Sequence, residues 1–148
     1  MSDTRYGPQA LSLLRIVTAL LFLQHGTSKV FQFPPFPMGD VPVGSLFWVA
    51  GVAEIIGGLL LIAGLFSRPV AFILSGEMAY AYWTVHAPDS TFPLLNHGEG
   101  AILFCFIFLL IAAAGPGPWS LDASRSKSLV RTEDEAAPAP AWHEGAMP

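Results

Sequence analysis

Residues 10–33 read ALSLLRIVTALLFLQHGTSKVFQF. A membrane-crossing helix needs about 20 residues rising about 1.5 Å each, and this run is long and apolar enough to qualify. It nevertheless carries Arg15, Gln24, His25 and Lys29. On a helix, Arg15, Phe22, His25 and Lys29 follow one another at seven, three and four positions, a spacing that puts them on one face. A charge turned to lipid near the midplane costs at least about 2.5–3.5 kcal/mol. The face is therefore expected to look inward, at partners drawn from the rest of the chain.

The whole composition agrees with that reading. Of 148 residues, 53% are hydrophobic and 12% charged, against about 25% charged in soluble domains. The mean hydropathy is +0.53. The net charge of −4 argues against nucleic acid, which requires clustered Lys and Arg. One cysteine, Cys105, leaves no internal disulfide and no paired-cysteine redox motif. The first apolar run has Arg15 in its middle and no small-residue cleavage site after it, so it does not read as a cleaved leader.

Prolines mark where the apolar runs stop. Pro8 precedes the first run; Pro34, Pro35 and Pro37 follow it; Pro42 opens the second, Pro69 the third; Pro88 and Pro93 follow the third; Pro116 and Pro118 end the fourth. None falls inside a run, where it would remove a backbone hydrogen bond that lipid cannot replace. The expected spans are about 9–31, 44–66, 69–87 and 97–114, giving an all-α, four-helix antiparallel membrane bundle. Arg5, Arg68, Arg125, Lys127 and Arg131 flank or connect these spans on one side, while loops 34–43 and 88–96 hold neither Lys nor Arg. Both termini are thus expected in the cytoplasm, as an even number of spans requires. Residues 1–121 form the membrane domain on this reading. Residues 122–148, rich in Ser, Ala, Pro and charge, offer little apolar surface to offset ordering and are expected to be a disordered cytoplasmic tail.

Three carboxylates lie in or at the spans: Glu54 in GVAEIIGG, Glu77 in LSGEMAYAY and Glu99 in NHGEGAILF. Glu54 and Glu77 fall near mid-depth. Arg15, about 9 Å from the start of its helix, matches the depth of Glu77, and the two are expected to form a structural ion pair. Glu54 is expected to face Lys29 or His25, a cluster of proton-exchanging groups that suits chemistry. Glu99 opens the fourth helix, where a carboxylate complements the dipole; Asn96 reads as its N-cap. Glu99, Tyr80 and Asn96 are the expected ligand-binding residues. No helix shows metal-ligand spacing, so no metal is expected.

Four short motifs, in order, point to a family. HGTSK at 25–29 resembles the His-Gly-x-x-Lys signature that closes the first helix of DoxX-family membrane proteins. GVAEIIGGLLLIAGL at 51–65 resembles that family's second helix. LLNHGEGAILF at 94–104 is similar to its Asn-x-Gly-Glu opening of the fourth, and GPGPWSLD at 115–122 to its Gly-Pro-Gly ending. The resemblance implies a four-helix bacterial inner-membrane protein linked to redox chemistry. Relatives include the DoxD subunit of a thiosulfate:quinone oxidoreductase and DoxX proteins tied to thiol and oxidative-stress defence.

The combined expectation is a multi-pass membrane subunit of a quinone-linked oxidoreductase or oxidative-stress defence system. Glu54, His25 and Lys29 would handle protons in its outer half. No haem, flavin or iron–sulfur signature is present, so electrons require a quinone or a protein partner; a partner or a homo-oligomer is expected. Two alternatives use the same charges: a proton-coupled small-molecule transporter, and a non-catalytic membrane scaffold.

Overall fold

A computed structural model describes residues 6–136. Helix α1 spans Gly7–Phe31, α2 Leu46–Ala63, α3 Ser67–Ala81, α4 Glu99–Ala114 and α5 Leu121–Ala136, with a single π-helical turn, Tyr82–His86, continuing α3. There is no strand among the described residues. The observed helices start and stop within a few residues of the expected spans. The π-turn was not foreseen.

Local signals explain the boundaries. Pro8 occupies the first turn of α1, where its missing N–H costs nothing. Ser45 caps α2 by accepting from the Trp48 N–H at 3.3 Å. Gly64 ends α2 in the left-handed conformation, and α3 begins three residues later. Consecutive helices run antiparallel: along α1 and α2, Ala19 lies opposite Gly58 and Gly26 opposite Gly51. Along α3 and α4, Ser75 meets Cys105 while Arg68 meets Ala112 and Ala113. The pairs α1/α2 and α3/α4 pack along much of their length, whereas α2 and α3 meet far less extensively.

The buried core is small: Ala19, Phe22, Leu61, Ala71, Leu74, Met78, Phe108 and Ile111. Phe22 seats its ring edge-on to Phe108 with centroids 4.8 Å apart. Arg15, Thr18 and Glu54 are buried, while Leu20, Leu21, Ile56, Leu59, Phe72, Leu103 and Phe106 are exposed. A water-soluble domain would reverse that arrangement. Helices α1 and α2 are each long and apolar enough to cross a membrane; α4 is apolar but has 16 residues.

The C-terminal reading needs correcting. Residues 121–136 are helical, not disordered. The start of this segment is fixed by hydrogen bonding, which composition does not display. Ser120 Oγ accepts from the Ala123 N–H at 3.1 Å, the Asp122 N–H donates to Gly64 O at 3.0 Å, and the Asp122 carboxylate accepts from the Phe66 and Ser67 N–H groups. The expected domain edge at 121/122 thus cuts through an anchored helix start. The remainder of the expected tail, residues 137–148, lies outside the described residues.

Candidate functional site

The site is assembled where α1 and α2 come closest. A Cβ on Gly26 would lie 2.7 Å from Gly51 O, and one on Gly51 would lie 2.8 Å from Lys29 Cβ. Only glycine permits that approach. Helical side chains lean toward the N-terminus of their own helix, so Lys29 reaches down α1 from its place opposite Gly51. One turn along α2 it meets Glu54, donating from Nζ to Oε1 at 2.5 Å. Their side chains are 12% and 1% exposed. Of the two expected partners for Glu54, the structure therefore supplies Lys29. Glu54 Oε2 is also buried and has no hydrogen-bond partner.

Beside this pair the hairpins α1/α2 and α3/α4 diverge, leaving a cavity of about 650 Å³. Most of its wall is apolar: Leu46, Phe47, Val49, Ala50 and Ala53 of α2, and Ile73, Met78 and Ala81 of α3. Lys29, Glu77, Tyr80 and Thr84 supply the polar groups. Thr84 already donates to Tyr80 O at 2.8 Å. Glu77 lies within electrostatic reach of Glu54 and Lys29, and its buried Oε1 receives no hydrogen bond. Leu46, Val49, Ile73 and Tyr80 are exposed on the outer surface, so the cavity opens sideways between α2 and α3.

The expected Arg15–Glu77 ion pair is not formed. Arg15 is fully buried and gives its fork to backbone carbonyls: Nε to Pro116 O at 2.9 Å, Nη1 to Leu61 O and to Ile62 O, and Nη2 to Trp119 O. The reason is packing order. Helix α1 lies along α2, with slight contact to α4, and α3 stands diagonally across. The guanidinium thus meets the last turn of α2 and the loop after α4. Five donors in a rigid fork suit such a cluster of carbonyls. Ser12 Oγ accepts from the Trp119 N–H at 3.1 Å, tying down the same loop. Gly117, at φ +76°, could carry no Cβ without striking Ser12 Oγ.

The remaining expected residues are scattered. His25 is exposed; its ring packs edge-on to Phe104 with centroids 5.5 Å apart, and Nδ1 lies 3.1 Å from Leu21 O. At about 100° per residue His25 sits some 80° around α1 from Arg15, at the fringe of the shared face. No hydrogen bond joins it to Glu54 or Lys29 among the described residues. Tyr80 lines the cavity. Asn96 is buried but occupied, donating to Ser90 O at 2.7 Å and accepting from the Gly98 N–H at 2.8 Å. It caps the turn before α4 rather than facing a ligand. Glu99 is exposed in the first turn of α4, where it complements the helix dipole. Neither Asn96 nor Glu99 contributes to the cavity wall.

The comparisons with known proteins bear on the α1–α3 half first. The DoxX family model matches residues 10–87, more than half of the chain. The chain belongs to the DoxX family. A protein of Haemophilus influenzae (strain Rd KW20), described as uncharacterized, is 49% identical over 105 residues, which is 68% of this chain and 78% of that protein. No solved structure matches. The DoxX match contains Lys29, Glu54 and Glu77, whereas the Pro116 and Trp119 acceptors of Arg15 lie beyond its end. Sequence reasoning missed Met38, Phe47 and Thr84 of the cavity and Ser12, Ser120 and Asp122 of the opposite end. For the latter a signal existed: GPGPWSLD, with glycines spaced for positive φ, marks a loop that must fold tightly onto something.

Proposed function

We propose that this DoxX protein crosses the bacterial inner membrane four times, with both termini in the cytoplasm, as the quinone-binding membrane subunit of an oxidoreductase. The observation that carries the reading is the apolar cavity open to the lipid side between α2 and α3, with a buried ion pair and a free carboxylate in and beside its wall. A quinone ring and its tail partition into such a space from the bilayer, and a ring oxygen accepts from Lys29. In this reading Glu54, which is outside the cavity wall, exchanges protons with the bound ring by way of Lys29, which lines it. His25 makes no hydrogen bond to the pair but lies within electrostatic reach of Glu54, and takes no direct proton step in this reading. The α3 helix with its π-turn, residues 67–86, is then the third span, and α4, 16 residues long, is a short fourth. The exterior belt of Leu, Ile and Phe supports lipid on all sides.

Electrons reach the quinone from a partner protein, because the chain carries no haem, flavin or iron–sulfur motif. The test is complementation of oxidant or thiol sensitivity in a deletion strain by Glu54→Gln, with protein level and melting temperature followed in parallel. The variant should accumulate, melting somewhat below wild type because Gln can still accept from Lys29 but no longer balances its charge, yet fail to complement. Full complementation would reduce Glu54 to a helix tie. The topology is tested separately with cysteines at positions 90 and 126 in a Cys105→Ser background. An impermeant reagent on spheroplasts should label position 90; labelling at 126 instead would overturn the orientation.

A further inference from the structure

We infer that the cavity, read as the ligand site above, selects a ring hydroxyl: the reduced, hydroxyl-bearing form of its ligand in preference to the ketone form. The inference comes from what the polar groups of the site still need. Lys29 Nζ has three donors, and among the described residues it makes one hydrogen bond, to Glu54 Oε1 at 2.5 Å. Two N–H groups are left for an acceptor. Glu77 has the opposite need. Its Oε1 is buried without a donor, and no hydrogen bond or ion pair among the described residues reaches the side chain.

A head group that satisfies both must accept from Lys29 and donate to Glu77. A hydroxyl does both at once. A ketone oxygen can only accept, which leaves ionised Glu77 unpaired and puts a lone pair against its carboxylate. A protonated amine can donate to Glu77, yet it stands beside the Lys29 ammonium and offers that group nothing. An anionic head meets two carboxylates, Glu54 and Glu77, against one ammonium. The apolar wall takes the body of the ring, and the exposed rim of Val49 and Ile73, 53% and 65% accessible, merges with the lipid-facing surface through which it enters. Discrimination of this kind is large because the penalty falls on a buried group left unpaired. Preference for the quinol over the quinone also means, by linkage, that the bound couple is reduced more readily than the free one.

The test measures binding of four decyl-chain probes to the purified full chain in detergent: a benzoquinol under reducing conditions, the matching benzoquinone, a para-substituted phenol and a protonated primary amine. The quinol and the phenol should each bind at least about tenfold more tightly than the quinone. In Glu77→Leu the ratio should fall to about one, with the unliganded melting temperature preserved. Equal binding of quinol and quinone, a preference that persists in Glu77→Leu, tighter binding of the amine than of the phenol, or no binding of either hydroxyl probe would each overturn the inference. The quinone reading and this one fail separately. If the quinone binds without preference, the proposed function stands and the hydroxyl selectivity falls. If the phenol binds through Glu77 while both quinone forms do not, the selectivity stands and the quinone assignment falls.

Discussion

The two ends of the helix bundle handle buried charge in opposite ways. At the Arg15 end a single guanidinium spends its donors on four carbonyls from the last turn of α2 and the loop after α4. At the Lys29 end one ammonium is paired with Glu54 alone, and Glu54 Oε2 and Glu77 Oε1 are left without donors beside an open cavity. Around the guanidinium the first arrangement is closed, and the unpartnered group at that end among the described residues, Ser67 Oγ, is a neutral hydroxyl that does not line the cavity. The second is incomplete as it stands, and incompleteness of buried polar groups is the signature of a site rather than of a joint. In a membrane, where water is not at hand to finish the hydrogen bonding, that difference separates stabilising charges from working ones.

The comparison breaks most easily at Arg15. Arg15→Leu strands four carbonyl acceptors, and at about 1–3 kcal/mol for each unsatisfied group, reduced by relaxation at a helix end, the loss should be on the order of 5 kcal/mol. Arg15→Lys should recover little, since one ammonium cannot span the same acceptors. The double variant Arg15→Leu with Glu77→Leu should melt like Arg15→Leu alone. Recovery in the double variant would restore an Arg15–Glu77 pair and sink the contrast. Next in size comes Lys29→Met, which leaves Glu54 buried without its cation and should cost about 3 kcal/mol. Adding Glu54→Leu should return part of that loss, as a thermal melt in detergent would read out. Strictly additive losses would mean that the pair is not coupled.

How far these contrasts were legible in the sequence depends on what kind of atom was involved. Helix boundaries were legible to within a few residues because prolines and apolar runs constrain the backbone directly: Pro8 sits where α1 starts and Pro116 just past the end of α4, whereas the Ser45 and Gly64 caps of α2 fell inside the expected 44–66. Lys29 facing Glu54 was legible as well, since both are charged, both lie inside apolar runs and lipid excludes each alone. The partners of Arg15 were not. Its acceptors are backbone carbonyls, which every residue owns and no letter of the sequence displays. Matching Arg15 to Glu77 by depth assumed adjacency of α1 and α3, and only the packing order decides that. The α5 start was hidden for the same reason, because Asp122 acts on the N–H groups of Phe66 and Ser67 rather than on a charge.

Asp122 provides a smaller test of the closed end. Burial alone would raise its carboxyl, but the Ser67 and Phe66 N–H groups and the nearby Arg125 outweigh that and hold it below the ordinary carboxylate range. A carboxyl lowered by folding contributes stability that is present above the unfolded pKa and is lost as pH falls through the folded one. Asp122→Asn should therefore cost about 1 kcal/mol near neutral pH, the usual scale for a lost cap. The gap between variant and wild type should close as pH drops below about 4. A gap independent of pH would show that the side chain's shape, not its charge, fastens α5.

The smallest expected change in stability is the one that sharpens the comparison most. Glu77 is a carboxylate in the wall of an apolar cavity, and the protein gives its buried oxygen no donor. Replacing an unsatisfied polar group by an apolar one of similar volume is neutral or stabilising, because the desolvation cost disappears and no bond is lost. Glu77→Leu should therefore melt within about 1 kcal/mol of wild type, or slightly above it, in the absence of ligand. That is the reverse of Arg15→Leu, although both remove a single charged side chain from a helix. The sign of the difference carries the argument. If Glu77→Leu destabilises as Arg15→Leu does, Glu77 is a joint like Arg15 and the Lys29 end is only a second clasp. If it does not, the chain maintains a buried carboxylate that contributes nothing to its own fold, and the reason for keeping it must be something that binds there.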